Sequence, residues 1–200
     1  VAPSRGLGDV YKRQMQGTMA SLEKAVQSNK DNLEAWELLA EQYNATGNLS
    51  QAAIAFENVV RLAPKNANAW AELADLTIAL NPSDLLKAGE MAEKALAVDP
   101  WHQKGLMIGA AAAFERGDYA HAAVLFDRLR KQIPAGNEVH DALTQQIEMT
   151  LAAGGLKAIP KDDVGEKPET DLEKMMKLGG GMQQAPERGQ DGVGLNPLKR

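Results

Sequence analysis

An all-α solenoid of paired helices is the fold this sequence predicts, and three observations predict it. Trp36 and Trp70 stand 34 residues apart, and Pro64, Pro100 and Pro134 follow one another at intervals of 36 and 34. Alanine dominates many stretches, while Trp, Tyr and Phe number three each in 200 residues. That mixture suits close-packed helices better than a sheet, which draws on aromatic and β-branched side chains. Between the Gly and Pro breaks, apolar residues recur at helical spacing.

Taken in chain order, residues 1–14 (VAPSRGLGDVYKRQ) differ in composition from the helical stretches after them. Asp9–Gln14 back-translates to a transposon end used in sequencing libraries, so this stretch is expected to be a non-native leader and is set aside. Met15–Asn29 reads as one amphipathic helix with Met19, Leu22, Ala25 and Val26 on one side, the second helix of a truncated pair. Leu33–Asn66 then forms a first complete pair. A second begins at Ala67, with two extra residues at Asn81-Pro82-Ser83, in the turn, where added length costs little. The third begins at Gln103. Asn137–Ala153 reads as a final helix with Val139, Leu143, Ile147 and Leu151 facing inward and a polar outer side that caps the stack. About eight helices and no strands are expected in residues 15–154.

A period near 34 belongs to tetratricopeptide (TPR) helix–turn–helix units. The first pair resembles that family almost position by position, with Trp36, Leu39-Ala40, Tyr43, Gly47, Ala52, Phe56 and Pro64. The second keeps Trp70, Leu73-Ala74, Ala88, Ala95 and Pro100; the third keeps Ala110, Gly117-Asp118-Tyr119, Ala122, Phe126 and Pro134, with Leu106 in the Trp place. The small residues let helices approach and the large ones fill the space beside them. Gly47 and Gly117 allow the positive φ that ends a helix, and each Pro stops the second helix of its unit. One pair cannot bury its own apolar face, so the units stack.

Residues 155–200 are rich in Gly and Pro, carry eight acidic and eight basic side chains, and have few large apolar groups. Such a segment cannot offset its ordering entropy and is expected to be a flexible tail. One short helix is expected at 170–178, where Thr170 and Glu173 fit a capping box and Gly179 supplies a stop.

The chemistry of sites reads as negative. Cysteine is absent, which excludes disulfides, thiolate metal sites and a Cys nucleophile. His102, His121 and His140 each stand apart from any metal-binding spacing, and no Gly-rich phosphate loop or Ser–His signature occurs. No catalysis, metal or cofactor is assigned. The net charge of -5 argues against nucleic acid. The longest apolar run, Gly105–Phe114, is far shorter than the ~20 residues of a membrane helix. Any membrane attachment is expected from an N-terminal segment not contained in this sequence.

What remains is a surface. The first helix of each pair lines the concave side of such a solenoid, and the groove there accepts a peptide or an amphipathic helix. Projecting the helical period from the core positions gives Glu37, Leu38, Glu41 and Asn44 from the first unit, with Glu34 beside them. The second gives Asn68, Ala71, Asp75 and Ile78, with Glu72; the third gives Lys104, Met107, Ile108, Ala111 and Phe114, with Glu115. The expected floor is an apolar strip of Leu38, Ile78, Met107, Ile108 and Phe114 flanked mostly by carboxylates. Residues 34–154 sum to a net charge of about -7, so the partner expected is an amphipathic, basic helix. Glu37 and Glu41 stand where TPR proteins that clamp acidic tails place Lys, Arg or Asn, which argues against such a ligand.

From Trp36 to about Gly154 the chain also resembles one branch of the family, the C-terminal TPR domain of the CcmI/CycH-type proteins of cytochrome c maturation. The resemblance lies in Trp36 and Tyr43, Ala74-Asp75, the lengthened second repeat, Ala95–Pro100, Lys104-Gly105-Leu106, Phe114–Tyr119 and Phe126–Leu129. It implies a periplasmic domain anchored to the inner membrane. It implies further that the domain holds the C-terminal helix of apocytochrome c and hands the chain to the haem-ligation machinery. The lack of Cys fits a holder of thiol-bearing clients, since no mixed disulfide can form. The other reading left open is a general TPR scaffold that joins proteins in complex assembly.

Overall fold

The computed structural model describes residues 7–165 and residue 167. Among these the chain forms eight α-helices and no strand. In order they are α1 (Leu7–Ser28), α2 (Leu33–Ala45), α3 (Leu49–Leu62), α4 (Ala67–Leu80), α5 (Leu85–Val98), α6 (Gln103–Glu115), α7 (Tyr119–Lys131) and α8 (Glu138–Ala153). A single 3-10 turn, Pro82–Asp84, takes up the two extra residues of the second repeat. Each helix packs on its neighbours in sequence, and α4 also meets α6. This is the predicted stack of three pairs, α2–α3, α4–α5 and α6–α7, between flanking helices α1 and α8.

The repeat is a repeat of hydrogen bonds as well as of core residues. Asn32, Asn66 and His102 each precede the first helix of a pair, and each side chain accepts from the N–H three residues on, at 3.1, 3.0 and 3.2 Å. These bonds satisfy donors that the helix itself leaves free. The Trp36 indole N–H donates to the carbonyl of Lys30 at 2.9 Å, and Trp70 donates to Pro64 at 3.0 Å. The tryptophans thus fill the core and also pin the turn that enters each unit. Leu106 has no such handle and is wholly buried. There, Gln132 from the end of α7 holds the turn by donating to the carbonyl of Trp101 at 2.9 Å.

Alanines let the helices close. Ala40, Ala52, Ala74, Ala88, Ala92, Ala110 and Ala122 have no exposed surface. The tightest approach is Gly89 of α5 on Ala112 of α6, where a Cβ added to the glycine would lie 2.3 Å from the Ala112 methyl. Polar ties cross the same interfaces. The Tyr43 hydroxyl donates to Glu23 of α1 at 2.6 Å, and burial, with help from that carboxylate, pushes its pKa up to about 12.

His121 of α7 meets Glu93 of α5 at 2.8 Å, and this hydrogen bond raises the imidazole pKa against the pull of burial. A raised folded-state pKa stabilises the fold most below the unfolded value near 6.5 and stops doing so as pH rises through the folded one. Thermal melts across that interval are therefore expected to show the wild type losing its advantage over Glu93→Gln as pH rises. A gap between the two that stays constant with pH would refute this assignment.

Two boundaries differ from expectation. The first helix begins at Leu7 rather than Met15, because Asp9–Gln14 contains neither Gly nor Pro and nothing local stops it. Residues 155–164, expected in the flexible tail, lie against α7. Ile159 packs into the core around Leu125, Phe126 and Leu129, and Asp162 forms a bidentate pair with Arg128 at 2.6 and 2.7 Å. The compact unit runs to Val164. The short helix expected at 170–178 lies outside the described residues. No helix among the described residues is long and apolar enough to cross a membrane.

Candidate functional site

The first helices of the three pairs, α2, α4 and α6, are linked side by side, Asn44 of α2 and Lys104 of α6 both bonding Glu72 of α4. Between α2 and α4 lies an open cleft of about 620 Å³. Glu37, Glu41 and Asn44 line it from α2, Asn68 and Glu72 from α4, and Asn66 from the turn between units; Phe56 and Val59 of α3 close its back. Five of the residues projected from the sequence, Glu37, Glu41, Asn44, Asn68 and Glu72, therefore meet at one place.

A ladder of polar contacts spaces the three helices. Asn66 donates to Glu37 at 3.2 Å, and Asn44 donates to Glu72 at 3.4 Å. The Lys104 ammonium donates to Glu72 at 2.8 Å and to Asp75 at 2.9 Å. Burial pulls the Lys104 pKa down, but the two carboxylates outweigh it and the net shift is upward, so this residue is a fixed cation. His102 accepts the Gly105 N–H on Nδ1, which leaves Nε2 to donate to Asn68 at 2.8 Å.

These pairings change the electrostatics expected from composition. The acids of α4 are engaged by Lys104. Among the described residues no cation pairs with Glu34, Glu37 or Glu41 of α2. The negative character of the groove is concentrated on its first helix.

The apolar strip is shorter than projected. Met107 is 54% exposed, on α6, and Leu38 is exposed on α2 but is not among the residues lining the cleft. Ile78, Ala111 and Phe114 are half-buried, and the Phe114 ring meets Tyr119 edge-on with centroids 5.2 Å apart. Ala71 and Ile108 are corrected: both are buried and unavailable to a ligand. Ile108 packs with Ala74, Ala88 and Ala92 where α4, α5 and α6 meet. Asn66 and His102, absent from the projection, act across the groove; their signal in sequence is a polar residue just before each apolar helical run.

Known proteins share this architecture. The family described as the cytochrome c-type biogenesis protein H TPR domain matches residues 6–140. The chain is similar to cytochrome c-type biogenesis protein CcmH of Escherichia coli, 28% identical over 127 residues, 63% of this chain and 36% of that protein. It is similar to CycH of Pseudomonas aeruginosa, 29% identical over 137 residues, 67% of this chain and 33% of that one. It also resembles the formate-dependent nitrite reductase complex subunit NrfG of Escherichia coli, 30% identical over 112 residues, 56% of this chain and 57% of that one. The chain thus spans about a third of the two biogenesis relatives. Among solved structures it resembles MamA, with a TM-score of 0.55 at 16% identity, over 80% of this chain and 93% of that one. A tetratricopeptide repeat protein from Parabacteroides merdae aligns at a TM-score of 0.51 and 21% identity, over 74% and 60%.

Proposed function

Because this chain belongs to the TPR domain family of cytochrome c-type biogenesis protein H, we propose that its concave groove holds the C-terminal helix of an apocytochrome c for delivery to the haem-ligation machinery. The domain is a protein-interaction module of TPR fold, and in this reading it binds without catalysing. The observation that carries the proposal is the row of acids on α2, with no cationic partner among the described residues, opening onto a cleft with an apolar back. A helix bearing Lys or Arg supplies the missing countercharge, and its apolar residues cover Met107. The periplasm, with attachment through a segment outside this sequence, is the proposed location.

Calorimetry with a synthetic peptide of a cytochrome c C-terminal helix tests this. Micromolar binding that weakens with added salt is expected. Glu41→Lys should weaken it roughly tenfold, which corresponds to about 1.4 kcal/mol. Absence of binding at low salt would refute the proposal. If Ile54→Asp, on the exposed side of α3, weakened partner capture more than Glu41→Lys, a scaffold working through its convex face would be favoured instead.

A further inference from the structure

We propose that the groove sorts its ligand lengthwise: it takes a helical segment with basic residues gathered at one end, over α2, and apolar residues at the other, over α6. This rests on the helix-holding reading above and specifies the chemistry of the helix held.

Charge changes along the groove from one end to the other. On α2, Glu37 and Glu41 line the cleft and Glu34 is exposed, and none of the three has a cationic partner among the described residues. In the middle, Lys104 bonds both Glu72 and Asp75, so the two α4 carboxylates keep one surplus negative charge between them. On α6 the exposed apolar group is Met107, followed by half-buried Ala111 and Phe114. Glu115 lies at the far end of that helix, and the Arg116 after it pairs with Asp118 at 3.7 Å. Unpaired negative charge is therefore densest over α2 and thins toward α6, where Lys104 and Met107 stand.

Distance decides whether a ligand senses that order. Packed helices lie roughly 8–10 Å apart, so α2 and α6 are separated by about 20 Å, the length of about 13 helical residues. The Debye length near 0.15 M salt is about 8 Å. A lysine held over α6 is more than two such lengths from the α2 acids and feels little of them. A leucine held over α2 lies beside unpaired carboxylates and leaves their charge without a partner. An amphipathic helix with Lys along one side and Leu along the other misplaces about half of each. Gathering the two kinds of residue at opposite ends satisfies both halves of the groove.

Three Ala-based helical peptides of about 15 residues, alike in composition, provide the test. One carries its lysines in the first half and its leucines in the second, one has the reverse order, and one has them on opposite sides throughout. Their affinities for the full chain are measured by calorimetry at about 0.15 M salt. The better of the two sorted peptides is expected to bind at least roughly tenfold tighter than the unsorted one. The double variant Glu37→Lys with Glu41→Lys should abolish that preference. Equal or tighter binding of the unsorted peptide overturns this inference and leaves the helix-holding reading standing. A preference that survives the double variant overturns it as well. Failure of all three peptides to bind overturns both.

Discussion

Replacing Asp162 by Ala is expected to destabilise the domain by about 3 kcal/mol, the largest single loss outside its apolar core. The side chains of Arg128 and Asp162 are only 10% and 13% exposed, and two hydrogen bonds join them. Removing one member of a buried pair costs about 3–5 kcal/mol because the other is left charged and uncompensated. The low end applies here, since the segment carrying Asp162 can lift and let water reach the guanidinium. For a chain of this size the melting temperature should fall by about 6–12 °C. The Arg128 side chain, by hydrogen bonding, holds the Asp162 pKa below its ordinary value. The stabilisation is therefore complete above the unfolded pKa near 3.9 and is lost as pH falls through the folded one. Wild type and variant melts should converge on acidification. A loss under about 1 kcal/mol at neutral pH would place the pair with ordinary surface bridges.

Gly89→Ala sets two effects against each other. Helix propensity alone predicts a gain of about 1 kcal/mol, because Gly is the poorest non-proline helix former. Packing predicts a loss, since the new methyl would sit 2.3 Å from the Ala112 Cβ, which has no rotamer by which to move aside. Separating α5 from α6 by even a fraction of an ångström strips contacts from Leu96, Ile108 and Leu106, so sterics should win. The expected net loss is about 2 kcal/mol. The exchanged pair, Gly89→Ala with Ala112→Gly, should recover most of it, because one methyl again fills the space. Urea unfolding of the two single variants and the double closes the cycle. Strict additivity would mean that the two positions do not touch in solution.

How much of this is legible in the sequence depends on the distance over which each signal acts. The helices follow from Trp, Gly and Pro placed at a fixed period, and those residues act within a few positions of themselves. The cleft is legible because α2 has a clean polar side, so the phase that buries Leu39 and Tyr43 also turns Glu37, Glu41 and Asn44 outward. The phase fails on α6, which is flanked by α4, α5 and α7. Gly105, Leu106, Ile108, Gly109, Ala110, Ala112 and Ala113 are all buried, so no single stripe marks its inner side. That is why the helical period puts Ile108 in the groove. The Lys104 pairings reach back 32 and 29 residues and the Arg128–Asp162 pair spans 34, and composition carries no trace of such partners. The residues from 155 to 164 read as tail because their few apolar groups give no weight to one isoleucine and one aspartate that find a place on α7.

The side chains of Asn66 and His102 have a double duty. Each starts a helix and each reaches the helix that lines the groove before it, Asn66 to Glu37 and His102 to Asn68. The spacing of successive first helices is therefore gauged at the turns. Evolution, or an engineer, can widen or tighten the groove by changing one residue per turn while every ligand-facing side chain stays the same. That separates the tuning of shape from the tuning of charge.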